Sequence, residues 1–510
     1  MLQLKDLALR RELLSHCCLG LGVWQELLST IICRSVAAMP SQGPFGWADR
    51  LVAALLLIVG HESLAQSHLC QAEVASSFFS GIGTAELAWQ VVGLALLAAG
   101  MPFKLRMVFA CEISAGCREV LRDLPVAHIF GDIVSLLSVG TLNLDWDFQR
   151  KTQVMMSATA FVTGWCYKCG KYCPYFTSDI DTSGSPCQDW SSAGLGLGVE
   201  GKRIHLFLAW VRLHLIWETS VIIHENVTNF DIALLQYFMG SMYHIFCVDC
   251  GPEDVGFPWC RRLRRYVALV HKGKMRVLHN PEILFRRVCF HLQHLASVED
   301  LFHADHEEVQ AEVLSLARDR RMTVFMSGTF MARAVDPLAR VVDPQSGQQV
   351  SMARAVVSGQ QVSMARAVNP FSVLTQDERD HLRSYSQLWV ERFGSDPAGH
   401  LGLVLNLGDN PAAGWITWSA PSSRQSTFCI PTLRRGWTVL WLPALMRWLT
   451  VRERLLMMGF PAYPNVADVY RLPSTFSLPW HIAKQTIGNG MHLANVGVWQ
   501  AVVAASVIRK

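Results

Sequence analysis

The strongest constraint on the fold lies between residues 74 and 133, where short apolar runs end in small or acidic residues and alternate with helical patterns. A run beginning at Val74 meets the glycine turn Phe78-Phe79-Ser80-Gly81-Ile82-Gly83, and a helical pattern follows over 85–99. Met107-Val108-Phe109-Ala110-Cys111-Glu112 is a strand that closes on an acid. A helix with Cys117, Val120 and Leu121 on one face comes next, and His128-Ile129-Phe130-Gly131-Asp132-Ile133 is another strand and turn. The same order continues with a helix over 204–215, a strand over 220–224 that leads into Glu225-Asn226-Val227, and a strand over 266–270. Unbroken apolar strands separated by helices predict a parallel sheet covered on both faces.

Composition sets the outer limits. Of 510 residues, 51% are hydrophobic and 17% charged, which excludes a disordered chain and allows two or three domains. No apolar run approaches the roughly 18–20 residues that cross a bilayer; the longest, 51–60, is expected to be a buried element. Residues 1–15 mix charged and apolar side chains, unlike a secretory signal, so a soluble intracellular protein is expected. The fifteen cysteines are scattered, which argues against a disulfide framework. The net charge of +4 is modest but uneven: between Pro258 and Phe290 there are nine Lys or Arg and a single acid, Glu282. Such a stretch suits a phosphate backbone; a solvated basic surface is the plain alternative.

Residues 1–72 carry no chemical motif and are read as an extension of unknown role, with 73–272 as the first part of a catalytic domain. Over 273–440 the pattern loosens. A polar helix is expected over 297–321, and another begins at Thr375, with Glu378 completing a capping box. Between them residues 346–357 recur as 358–369 with only the last residue changed, and Met-Ala-Arg-Ala-Val occurs again at 331–335. Two or three short copies are too few for a solenoid, so the segment is read as an expanded, flexible loop. Helical patterning returns over 441–510.

Two groups stand out chemically. Gly184-Ser185-Pro186-Cys187-Gln188 follows a strand end in a small, polar loop. Thiolate is the reactive form of cysteine, and a loop rich in backbone N–H groups is expected to lower the thiol pKa. Glu225 follows about 40 residues later at another strand end, and parallel strand ends converge on one crevice. A lone Pro-Cys pair is ordinarily a structural cysteine, and a carboxyl there caps a helix as readily as it catalyses. Together, however, thiol and carboxyl suit attack on a pyrimidine: sulfur adds at C6, a protonated carboxyl near N3 takes up the charge, and C5 becomes nucleophilic.

The blocks resemble, in order, the motifs of the cytosine-5 DNA methyltransferases. They are Phe79-Ser80-Gly81-Ile82-Gly83 with Glu86; Ala110-Cys111-Glu112; Gly131-Asp132-Ile133; Pro186-Cys187-Gln188 with Ser191 and Gly194; Glu225-Asn226-Val227; Leu449-Thr450-Val451-Arg452-Glu453 through Gly459-Phe460-Pro461; and Gln485-Thr486-Ile487-Gly488-Asn489-Gly490. The resemblance covers roughly 77–270 and 440–500. It implies a Rossmann-like, S-adenosylmethionine-dependent methyltransferase fold completed by 441–510, with a target recognition domain inserted over 273–440. It implies methyl transfer from S-adenosylmethionine to C5 of cytosine in double-stranded DNA, hence a nuclear protein. Phe79, Gly81 and Gly83 would line the cofactor turn, Glu112 would hold the ribose with Ile113 on the adenine, and Asp132 would bind the adenine amino group beside Ile133. Pro186, Leu206, Asn489 and Met491 would complete that pocket. Cys187 would be the nucleophile and Glu225 its partner at the cytosine N3 edge.

The family pattern of Pro-Gln, one residue, then Arg-x-Arg is altered here to Pro258-Trp259-Cys260-Arg261-Arg262-Leu263-Arg264. Without a gap the second arginine falls on Leu263; a one-residue insertion selects Arg262 and Arg264 as the pair that orients the base. Ser77 replaces a common acid, and Asp189-Trp190 replaces Pro-Phe. Residues 189–201, rich in glycine and serine, are read as a mobile lid. Two rivals are a transfer-RNA cytosine methyltransferase on the same scaffold and a DNA-binding protein that keeps the fold with little activity. Cys166, Cys169 and Cys173 have zinc-like spacing but lack an evident fourth ligand in the sequence, so no metal is expected.

Overall fold

The computed structural model describes residues 43–140, 142–175, 177–191, 194, 196–293, 298–322, 324–326, 330–332, 340–342, 349–351, 368–420, 428–434 and 438–510. Nine strands organise its first half: β1 (Val74–Phe78), β2 (Arg106–Cys111), β3 (Val126–Phe130), β4 (Thr163–Cys166), β5 (Lys171–Pro174), β6 (Ile180–Ser183), β7 (Val221–Asn226), β8 (Tyr243–Cys250) and β9 (Arg264–His271). Seven of them form one sheet in the order β3-β2-β1-β6-β7-β9-β8. The first five of that order are parallel, whereas β9 runs antiparallel between β7 and β8. The fold is the expected Rossmann-like α/β class.

Strand alternation explains why both faces are covered. Val221 and Ile223 of β7 enter one apolar cluster and Ile222 the other; Ala268 and Val270 of β9 oppose Val267 and Leu269 in the same way. Helices Thr84–Ala98 and Leu493–Ala505 lie on the first face, and Ile204–Trp217 on the second. Helix Leu493–Ala505 is buried on every side, which is why its sequence is apolar all round. Among the described residues no helix is long and apolar enough to cross a membrane, and the cysteines are free thiols.

Three boundaries differ from the sequence reading. The sequence reading sets 1–72 apart as an extension, yet helix Trp47–Val59 within it is an integral part of the first core. The Trp47 indole N–H donates to the Tyr470 hydroxyl at 3.0 Å, and its ring presses so closely on Gly497 that a Cβ there would lie 2.4 Å from it. Helix Pro281–Leu292 joins the same core, and strand Met275–Val277 pairs with Val507–Arg509, so the catalytic layer extends past residue 273. The inserted region has its own core, formed by helices His306–Asp319 and Gln376–Phe393 and a three-stranded sheet of Leu405–Asn406, Leu440–Leu442 and Arg447–Trp448. Thr375 and Glu378 form the expected capping box. Strands Arg340–Val342 and Gln349–Ser351 belong to a four-stranded antiparallel sheet where only loop was expected. Residues 352–367, with most of the second repeat copy, lie outside the described residues.

Beneath the glycine turn the Glu86 carboxyl is buried, and burial pushes its pKa up to about 7 against a hydrogen bond from Ser77. A carboxyl raised in the folded state costs stability as pH climbs from its ordinary value near 4.5, and the loss saturates above the folded value. Glu86→Gln should therefore gain on the wild type across this window, by at most about 3 kcal/mol. Thermal unfolding at pH 5 and pH 8 measures it; equal differences at both pH values would contradict the burial argument. Trp47→Ala should cost about 3–5 kcal/mol, read as a lowered Tm, and a surface-like effect would detach residues 43–72 from the core.

Candidate active site

Parallel strands bring the carboxyl ends of β1, β2, β3, β6 and β7 to one edge, and antiparallel β9 brings its amino end to the same edge. Strand order reverses between β1 and β6, the place where α/β sheets open a crevice. After β1, Phe79, Gly81 and Gly83 all take positive φ, at 55°, 56° and 84°. For Phe79 this is the left-handed region that disfavours side chains. A Cβ on Gly83 would lie 2.2 Å from Leu124, whereas nothing lies within 4 Å of one on Gly81. The Gly81 N–H donates to Glu112 Oε2 at 2.8 Å, and the Ser114 N–H to Oε1 at 2.7 Å. Glu112 thus ties the turn after β1 to the end of β2, and burial raises its pKa.

Ile113, beside that carboxyl, is 68% exposed. Asp132 follows β3, is exposed, and accepts the Val134 N–H at 3.0 Å. Ile133 is only 3% exposed and packs in the second core, so it offers little surface to a cofactor. Pro186 and Leu206 are half-buried, Asn489 is exposed and Met491 is buried. An exposed apolar side chain beside a half-buried carboxyl, next to an open glycine turn, fits the adenosyl part of S-adenosylmethionine.

Cys187 lies in the loop after β6, and Glu225 is the penultimate residue of β7. A Cβ on Gly184 would lie 3.1 Å from Glu225 Oε2 and 3.9 Å from Met491 Sδ, so the thiol loop, the carboxyl and the C-terminal segment converge. Arg264 Nε stands 3.3 Å from Glu225 Oε1. Arg262 is buried and donates to the carbonyls of Gly488, at 3.2 Å, and Gly490. Leu263 between them is exposed, whereas both arginines turn toward the site. Trp259 packs in the core beside Phe45 and Phe257.

The electrostatics correct one expectation. Burial, then the Glu225 charge, push the Cys187 thiol up, while Arg264 and Arg262 pull it down. The net direction is upward, because desolvation outweighs the loop N–H groups. Burial likewise raises the Glu225 carboxyl against both arginines, and burial together with Arg264 lowers Arg262 to about 10.

Three positioning residues had no assigned role. Ser185 Oγ is 2.8 Å from His224 Nε2, and the Asn226 amide donates to Ser185 O and Oγ at 3.3 and 3.1 Å. These bonds lash the Cys187 loop to β7; the signal was that Asn226 lies in one motif block and Ser185 and His224 directly precede the two blocks. Asp189 accepts the Arg203 N–H at 3.1 Å, and Trp190 packs on Phe230 with ring centroids 5.1 Å apart. The loop read as a lid is therefore anchored at both ends; residues 192, 193 and 195 lie outside the described residues. The basic stretch does not form one face. Strand β9 separates Arg261, Arg262 and Arg264 from Lys272 and Lys274, and Arg265 pairs with Asp249 at 2.7 Å.

No curated protein matches the chain. Among solved structures, faint likenesses include an E. coli prophage protein described as a DNA modification methyltransferase (16% identity, TM-score 0.40, covering 85% of this chain and 98% of that one). Others are the Entamoeba histolytica methyltransferase EhMeth (11%, 0.38, 85% and 98%) and the S. pombe Dnmt2 methyltransferase (13%, 0.38, 84% and 98%). Residues 171–233, which hold both Cys187 and Glu225, match the family of C-5 cytosine-specific DNA methylases. The likeness read from the motifs is thereby borne out: over this segment the chain is similar to enzymes that take their methyl group from S-adenosylmethionine.

Proposed function

We propose that the chain is a DNA (cytosine-5-)-methyltransferase acting through a covalent adduct on Cys187. The observation that carries the reading is the meeting of the Cys187 loop, Glu225 and Arg264 at strand ends beside the Phe79–Gly83 turn. Bound through that turn, Glu112, Ile113, Asp132, Pro186 and Leu206, with Asn489 and Met491 closing the pocket, S-adenosylmethionine supplies an electrophilic methyl group. The target cytosine leaves the duplex stack to reach a half-buried thiol. Cys187 gives up its proton and its sulfur adds to C6. Glu225, whose hold on a proton burial strengthens, hydrogen-bonds N3 and takes up the charge, while Arg264 and Arg262 orient the ring and favour the thiolate. The electron pair displaced to C5 faces the cofactor turn, where a bound donor would supply the methyl group and keep the electron pair of its broken sulfur–methyl bond. Loss of the C5 proton then drives out the sulfur and restores the ring. The inserted region with its own core suits the reading of base edges in a groove, and a nuclear location follows from the substrate.

A duplex with 5-fluorocytosine at the target should trap the chain covalently, since fluorine cannot leave as a proton does. The adduct should vanish with Cys187→Ser. Methylation of transfer RNA with none of duplex DNA would replace the substrate; cofactor binding without adduct or product would favour the inactive DNA-binding rival. Glu225→Gln should lower kcat by about 10²–10⁴. Arg264→Gln removes a cation that lowers the thiol pKa, so the pH profile of Cys187 alkylation by iodoacetamide should move to higher pH; an unmoved profile would separate Arg264 from the thiol.

A further inference from the structure

We infer that His128, Cys166, Cys169 and Cys173 form a structural zinc site that fastens the β4–β5 hairpin to the edge of the main sheet. The sequence offered three cysteines and no fourth ligand. The fold brings in His128, 38 residues before Cys166, from the middle of β3. The four ligand atoms all lie within 4.8 Å of one another. Cys166 Sγ is 3.7 Å and Cys169 Sγ 3.5 Å from His128 Nδ1. A tetrahedral zinc ion with ordinary bonds to sulfur and nitrogen separates its ligands by about 3.5–3.8 Å, so both sulfur–nitrogen distances already fit, and side-chain shifts of about 1 Å close all four on one ion. Cys187 is not part of the group.

The backbone is built for the same end. Cys166 pairs across the hairpin with Lys171, which puts Cys173 diagonally opposite on the same face. Cys169 lies in the turn between them, where Gly170 adopts φ 67° and donates to the Cys166 carbonyl at 2.9 Å. Two backbone N–H groups, of Cys169 and Ile129, point at Cys166 Sγ at 3.4 Å, an arrangement that favours thiolate. With four protein ligands the ion has no open position, so its role is to hold and not to catalyse.

What it would hold is specific. β3 is an edge strand, and the hairpin covers it through the Tyr167 N–H, which donates to the Ile129 carbonyl at 2.7 Å. The Tyr167 ring lies against Gly131, where a Cβ would meet it at 2.9 Å, and takes the Arg118 guanidinium 3.9 Å from its centroid. The ion thus fixes the ring that backs the Gly131–Asp132 turn.

The full chain, purified under reducing conditions after growth with added zinc, should carry about one zinc per molecule by plasma mass spectrometry. Cys187→Ser should keep it, and Cys169→Ser or His128→Ala should lower it to below about a tenth. Cys169 is exposed, so its loss spares the core, and circular dichroism separates metal loss from unfolding. Without any variant, cobalt exchange into the wild-type chain should give the visible bands and thiolate charge-transfer absorption of a tetrahedral sulfur-rich site. A folded wild-type chain with neither zinc nor a cobalt spectrum overturns the proposal. So does a zinc content indifferent to Cys169→Ser and His128→Ala.

Discussion

The structure depends on a carboxyl group taken out of water at a strand end. Glu225 is buried between the main sheet and the C-terminal segment, 3.3 Å from the Arg264 guanidinium. Burying charges costs several kcal/mol per ion, and their mutual attraction seldom does more than repay it. Such a pair is therefore weak evidence of stability and better evidence of a task. Its arrangement requires β9 to be antiparallel, since only then does the amino end of that strand reach the crevice. It also requires Gly488 and Gly490 to accept from Arg262, which draws the segment over 441–510 into the site. The sheet order, the inserted region and the return of the chain all serve this juncture.

Much of the site was legible because strand-to-turn grammar is local. Gly81 and Gly83 announced a tight turn, and Glu112, Asp132 and Glu225 stand at or just past the ends of strands whose apolar runs could be read directly, whereas the strand before Cys187, Ile180–Ser183, has a single apolar residue. Parallel pairing then carries all of them to one edge without further information. What could not be read depends on burial and on distance along the chain. The direction of the Cys187 pKa follows from desolvation, which a loop sequence does not reveal. Ile133 belongs to the core because the chain turns inward after Asp132. The basic stretch looked continuous in sequence, but β9 runs through it and parts its charges.

Packing that lacks a chemical motif was the largest omission. Nothing in 43–72 names a function, yet Trp47, Leu51 and Leu55 are fully buried, and the apolar spacing of 47–59 was the available sign. His128 shows the same difficulty in another form. A histidine inside an apolar strand has no distinguishing neighbours in sequence, and only the docking of the hairpin on β3 makes it a member of the cysteine group.

Helix Leu493–Ala505 has a consequence for how the molecule comes into being. It is buried on every side and lies against the helix that follows the first strand of the sheet. Every strand of the main sheet must therefore emerge from the ribosome before this helix can cover its first face. Until residue 505 is made, the early strands and the helices beside Trp47 present a broad oily surface to the cell. Contacts that close so late in synthesis form slowly and leave intermediates prone to aggregate. Biogenesis of this protein is thus a matter of waiting, and cellular holding factors would shape its yield as much as its native stability does.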